Sequence, residues 1–183
     1  MLYEYENLVP PEELEFVIDR YKQITLVGWS MGVWVGQKLF ADKTAQFHRS
    51  IALNGTLCPI NDLWGIPQAV FAGTLLGYDA AAQMKFYRRM CREKSNLKMF
   101  LENQPQRSYS DQGKELTALQ KLVECIPAEQ SIYQEIVIAE HDFIVPSANQ
   151  HNFWASKQTR AIAGYHFLFY LWQSWYDLLV FAD

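Results

Sequence analysis

The spacing of apolar and polar positions separates segments of two periods. Ile24 to Val27 is a short apolar run with a β-branched start. It meets Gly28-Trp29-Ser30-Met31-Gly32, after which Val33, Trp34, Leu39 and Phe40 recur at helical spacing. That is a strand, a tight turn and a helix. Ser50 to Leu53 predicts a second buried strand, closed by Asn54-Gly55-Thr56, and Tyr133 to Ala139 a third, ending at Glu140-His141-Asp142. Pro146 starts a helix that carries Trp154, and Arg160 to Ala163 is a last short strand, left through Gly164-Tyr165-His166. Upstream, Leu2 to Glu6 alternates apolar and acidic residues as a short strand would. Pro10-Pro11-Glu12-Glu13 then opens a helix to about Tyr21, its acidic first turn matched to the helix dipole. Phe167 to Phe181 predicts a buried closing helix; Gln173 and Asp177 interrupt it, and it is too short to span a bilayer. Strands alternating with helices imply parallel pairing and right-handed crossovers.

From Leu57 to about Ile126 the rhythm changes, and loops containing Pro59, Gly65 and Pro67 lead into helical stretches without a convincing strand. This segment is expected to be a helical cap. Residues 1–56 and 127–183 then form the two halves of one composite core, with 57–126 inserted between them.

Composition narrows the class. At 183 residues the chain fits one domain able to bury about two-thirds of its unfolded surface, and with 50% hydrophobic residues it needs no disulfide staple. A net charge of -4 argues against a general nucleic-acid binder. Cys58, Cys91 and Cys125 are odd in number and lack a Cys-x-x-Cys spacing, which argues against a disulfide framework and a zinc site and suits a reducing cytoplasm. The N-terminus has no basic region followed by an apolar stretch, so no signal peptide or membrane segment is expected.

The chemistry is concentrated at Gly28 to Gly32. Gly-x-Ser-x-Gly between a strand and a helix is the pattern of a nucleophile elbow, with Ser30 as nucleophile. Gly28 and Gly32 are expected to remove Cβ atoms that would clash in so sharp a turn, and Gly36 to let the helix lie close on its strand. The Met31 N–H, at the start of the new helix, is a natural oxyanion donor. Such a serine needs a base and an acid to orient it. His48 precedes a strand, at the wrong end of a parallel sheet, and His151 sits within a helix. His166 directly follows the last strand, at the end where Ser30 must lie. Asp142 follows its own strand in the same way, which gives the chain order Ser, Asp, His of α/β-hydrolases, with His141 a bystander. The fold class is thus α/β and α/β-hydrolase-like: a mainly parallel sheet with flanking helices and the cap inserted after the strand that follows the elbow.

Two further groups stand out. Lys85, Arg88, Arg89, Arg92 and Lys94 cluster within an otherwise acidic chain, and positions 85, 88, 89 and 92 share a helical face. Trp29, Trp64, Phe71, Phe86 and Tyr87 are candidates to line an acyl slot, although each taken singly has the composition of core.

The segments Gly28 to Val35, Asn54 to Thr56, Gly65 to Leu75, Lys85 to Cys91, Glu115 to Leu119, Asp142 to Gln150 and Gly164 to Phe169 together resemble the BioG-type pimeloyl-[acyl-carrier protein] methyl ester esterases of biotin synthesis. The resemblance implies hydrolysis of a methyl ester at the far end of a pimeloyl chain on acyl carrier protein, without cofactor or metal. The acidic carrier protein would be the partner of the basic cluster. It also implies an additional strand and a glycine-tryptophan loop upstream of this chain, the loop supplying the second oxyanion N–H; without that donor turnover is expected to fall about 100- to 1000-fold. Two alternatives stay open: a hydrolase of small esters or acyl-thioesters, and a non-catalytic binding protein with the same fold.

Overall fold

In the computed structural model, which describes Leu8 and residues 12–182, the strands β1 (Ile24–Trp29), β2 (Phe47–Leu53), β3 (Glu135–Ala139) and β4 (Arg160–Ile162) form one sheet. Their order is β1-β2-β3-β4 and every neighbouring pair is parallel. Parallel neighbours need crossovers, and helices supply them: α2 (Met31–Phe40) follows β1 and α7 (Ser147–Phe153) follows β3. The two-residue period of β3 sorts its side chains onto two cores. Ile136 and Ile138 pack with Val33, Ala52 and Trp154, whereas Val137 and Ala139 pack with Ile51, Leu53, Leu168 and Leu178. With both faces covered, β2 and β3 read as nearly continuous apolar runs.

Four helices lie between β2 and β3: α3 (Gln68–Leu75), α4 (Ala80–Cys91), α5 (Lys94–Glu102) and α6 (Tyr109–Leu122). Among the described residues the bridge between Ile60 and Ile66 is the only strand-like pairing in that stretch. Phe71, Tyr87, Met90 and Phe100 of these helices form a core with Ile144, Val145 and Phe167, so the insertion packs directly on the loops that follow β3 and β4. The helix expected from the two prolines is α1 (Glu12–Arg20), which places Ile18 against Trp34, Val35 and Phe40 of α2. The strand expected at Leu2 to Glu6 lies outside the described residues.

Several expectations are corrected. The closing apolar run is not one buried helix: Phe169–Leu171 is a single tight turn, and α8 (Trp175–Ala182) begins only afterwards. The Asp177 carboxylate accepts from the Gln173 and Ser174 N–H groups, and the Asp177 N–H donates to Ser174 Oγ. The residues read as interruptions are therefore the cap that starts the helix. Trp175, Tyr176 and Val180 are exposed. Trp154 lies one residue beyond α7. Cys58 and Cys125, 67 residues apart, are bonded to each other with a Cα–Cα separation of 4.2 Å, contrary to the expectation from cysteine number. Cys91 remains free and buried.

Gly36 has a different purpose from the expected one. The phenol of Tyr133 lies where a Cβ on Gly36 or Gly28 would be, and its hydroxyl donates to the Val33 carbonyl at 2.8 Å. Gly36 makes room for a tyrosine rather than for the strand, whereas a Cβ on Gly28 would also press on the Val33 Cα at 3.0 Å, in keeping with the close turn expected there. Burial pushes the Tyr133 hydroxyl pKa well above its ordinary value, so the group stays a neutral donor.

Candidate active site

All four strands end at one rim, and each is followed by a residue of chemical interest: Ser30 after β1, Asn54 after β2, Asp142 after β3 and His166 after β4. The register holds these ends level, pairing Trp29 with Leu53, Leu53 with Val137, and Ala139 with Ile162. Sites gather at such carboxyl edges.

Ser30 has φ 56° and ψ -129°, a left-handed backbone that a non-glycine residue adopts only when its surroundings enforce it. Here its N–H donates to the Leu53 carbonyl at 3.0 Å, while its own carbonyl accepts from Val33 N–H at 3.1 Å. Close packing under the turn depends on Gly55, where a Cβ would overlap the Ser30 carbonyl oxygen and the Val33 side chain. Gly32 does not have the role expected of it: a Cβ there meets nothing within 4 Å. Met31 opens α2, and its N–H has no backbone acceptor among the described residues.

The structure brings Asp142 and His166 together. Asp142 Oδ2 is 2.7 Å from His166 Nδ1, and the two residues are only 5% and 1% exposed. The other carboxylate oxygen accepts from the N–H groups of Ile144 at 2.8 Å and Val145 at 3.0 Å. Gln150 Nε2 adds a donor to Oδ2 at 2.9 Å. Asp142 is thus both the turn former before α7 and the partner of the imidazole. Among the described residues no hydrogen bond joins Ser30 Oγ to His166. The link between the two halves is Trp29, whose indole N–H donates to the His166 carbonyl at 2.9 Å and whose ring centroid is 5.3 Å from the imidazole. Trp29, expected to line an acyl slot, holds the histidine loop.

Of the other histidines, His48 lies inside β2, near its start, and His151 in the last turn of α7, both away from the rim. His141 stacks loosely on Tyr165. Lys85, Arg88 and Arg89 are exposed on α4, but Arg92 is not on that helical face. It is the residue after the helix, with φ 60°, and its guanidinium lies 4.5 Å over the Phe143 ring. The end of α4 is nevertheless next to the histidine loop: Phe167 N–H donates to the Met90 carbonyl at 3.2 Å, and Tyr165 Oη to Glu93 at 3.1 Å. Phe71 and Tyr87 are buried core, Phe86 is packed against that core, and Trp64 is substantially exposed.

Two residues of the rim were not singled out from the sequence. Asn54 and Gln150 are each completely buried, and both spend their amide nitrogens on the loops carrying His166 and Asp142, while Gln150 Oε1 has no partner among the described residues. The available signal was an amide placed among apolar neighbours immediately after a strand, or on the inner face of a short helix; buried amides are rarely left unbonded.

Comparison with known proteins places these features in a family. Residues 1–178 match the family model described as pimeloyl-ACP methyl esterase BioG. A Haemophilus influenzae protein described as uncharacterized is 33% identical over 175 residues, covering 94% of this chain and 78% of that protein. The crystal structure of BioG from Haemophilus influenzae superimposes with a TM-score of 0.76 at 32% identity, over 89% of this chain and 74% of the other. A malonyl-[acyl-carrier protein] O-methyltransferase of Bacteroides fragilis is 38% identical over 152 residues, which is 83% of this chain but 30% of that protein, so the chain spans under a third of that relative. The α/β hydrolase MGS-M2, at 16% identity and TM-score 0.63, shares the fold. The chain belongs to the BioG family of pimeloyl-ACP methyl esterases.

Proposed function

We propose that the chain hydrolyses the methyl ester of pimeloyl-[acyl-carrier protein] methyl ester in biotin synthesis, as a cytoplasmic serine esterase with Ser30, His166 and Asp142 as its triad. The observation that carries this reading is the buried 2.7 Å pair of Asp142 and His166 at the rim that also holds the strained Ser30 turn. Ser30 Oγ attacks the ester carbonyl while His166 Nε2 takes its proton, and Asp142 holds the imidazole in the required tautomer and stabilises it once charged. The Met31 N–H faces the oxyanion. Collapse of the tetrahedral intermediate expels methanol, which leaves with the proton from His166. Water then enters by the same route, freeing the pimeloyl carboxylate and restoring Ser30. No cofactor takes part.

The carrier protein is acidic, and Lys85, Arg88 and Arg89 project from α4 close to the histidine loop. Such a surface raises the encounter rate and suits the phosphate of the carrier's prosthetic group. Helices α3 to α6 act as the cap over the acyl chain. The name of the Bacteroides fragilis relative, a methyltransferase of a carrier-bound malonyl group, fits a substrate that is a methyl ester on acyl carrier protein.

Methanol release from pimeloyl-[acyl-carrier protein] methyl ester tests the proposal directly. Wild type is expected to release it and to be labelled by a fluorophosphonate, and Ser30→Ala and His166→Ala to do neither. An unlabelled, inactive wild type would favour the non-catalytic binding reading. Exposure of the basic α4 residues also admits a plain solvated face, as in a hydrolase of small soluble esters. Charge reversal at Arg88 and Arg89 separates the two, because it should damage carrier-bound esters and spare p-nitrophenyl esters.

A further inference from the structure

Among the described residues Asn54 is the one that binds the ends of β2 and β3 and the histidine loop at once. It follows the last residue of β2, has no exposed surface, and adopts φ 47°. Left-handed backbone at a non-glycine residue is strained, although asparagine bears it better than most. Its backbone N–H and both side-chain polar atoms are committed. The backbone N–H donates to the Val137 carbonyl at 3.0 Å. Oδ1 accepts from Ala139 N–H at 2.7 Å. Nδ2 donates to the Tyr165 carbonyl at 3.1 Å and the His166 carbonyl at 3.0 Å. The His166 carbonyl also receives the Trp29 indole. Two side chains, one just before the Ser30 turn and one after the next strand, therefore converge on the backbone of the proposed base.

We infer that Asn54 is a positioning residue: its amide fixes the backbone of His166 relative to the Ser30 turn, while its neighbour Gly55 seats that turn from below. The inference rests on the proposed hydrolytic triad and adds to it a member that touches neither substrate nor reacting atoms. The geometry explains why an amide stands there. The carbonyls of Tyr165 and His166 point at one spot inside the protein and need an N–H₂ group, and Ala139 N–H needs an acceptor on the same side chain. Only asparagine or glutamine offers both, and the shorter one suits a left-handed position. Movement of a catalytic group by about 1 Å can cost on the order of 100-fold in rate.

The test compares Asn54→Gly and Asn54→Ala. Both remove the same hydrogen bonds, but glycine accepts positive φ and alanine does not. If the amide positions His166, both variants lose about 10- to 100-fold in kcat with KM unchanged, and both slow fluorophosphonate labelling of Ser30 alike. The far-downfield proton resonance of His166 Nδ1–H against Asp142 weakens in both as well. If Asn54 merely tolerates an awkward backbone, Asn54→Gly keeps wild-type kcat and wild-type resonance and only Asn54→Ala suffers, which overturns the inference. Should wild type prove inactive, the hydrolytic reading fails. The positioning role then stands or falls on whether Asn54→Gly loses a resonance that wild type shows.

Discussion

Around Asp142 and His166 nearly every polar atom is bonded, whereas Ser30 and the start of α2 are supported from one side. The carboxylate receives Ile144, Val145, Gln150 and the imidazole, and the histidine backbone receives Asn54 and Trp29. The elbow rests on β2 through Leu53 and Gly55, but among the described residues β1 pairs with β2 alone, and Gly32 is exposed beside open space. The bonds that orient the acid–base pair come from the loops after β2 and β3 and from α7, with Trp29 the contributor from β1. The pair's geometry is thus largely independent of the edge of β1 away from β2, and the two halves can be perturbed separately.

The largest expected effect comes from the crowded half. In Asp142→Asn one carboxylate oxygen becomes an N–H₂ group in a place where every neighbour is a donor. The side chain either turns that group toward Gln150 and His166 or toward Ile144 and Val145, and in the first case the imidazole is held in the wrong tautomer. A fall of about 10,000-fold in kcat is expected, with the fold intact by circular dichroism. Retention of near wild-type kcat would show that Asp142 serves only its turn.

The next effect is one of stability, at the seam between the halves. Gly55→Ala forces a Cβ onto the Ser30 carbonyl and Val33, both of which are fixed, so a loss of about 1–3 kcal/mol in denaturant unfolding is expected. An unchanged midpoint would mean that the turn is not seated on Gly55 and that the nucleophile half is looser still.

The same contrast marks what could be read in the chain. The alternation in β3, the apolar run of β2 and the Gly-x-Ser-x-Gly turn are local patterns, and the rim argument that selected Asp142 and His166 needs only strand order. Asn54 and Gln150 escaped because their significance lies in partners elsewhere: Asn54 reaches a carbonyl 112 residues away. Tyr133, inserted against Gly28 and Gly36, is likewise a tertiary fact, and so is the pairing of Cys58 with Cys125. The closing helix is a different kind of miss, because Ser174-x-x-Asp177 was a legible cap overshadowed by the apolar residues around it. The Arg92 placement failed for a backbone reason. The helix ends at Cys91, and a left-handed residue swings the guanidinium onto Phe143.

The smallest effect has the opposite sign and sharpens the comparison most. Gly32 is the second residue of α2, and a methyl group there meets no neighbour within 4 Å. Alanine costs the unfolded chain some of its freedom and is the better helix former, so Gly32→Ala is expected to stabilise by up to about 0.5–1 kcal/mol. Measured beside Gly55→Ala, it sets two glycines that flank the same serine against each other. If Gly32→Ala instead destabilises as much as Gly55→Ala, something packs against the outer side of the elbow in solution, and the one-sided support of Ser30 is wrong.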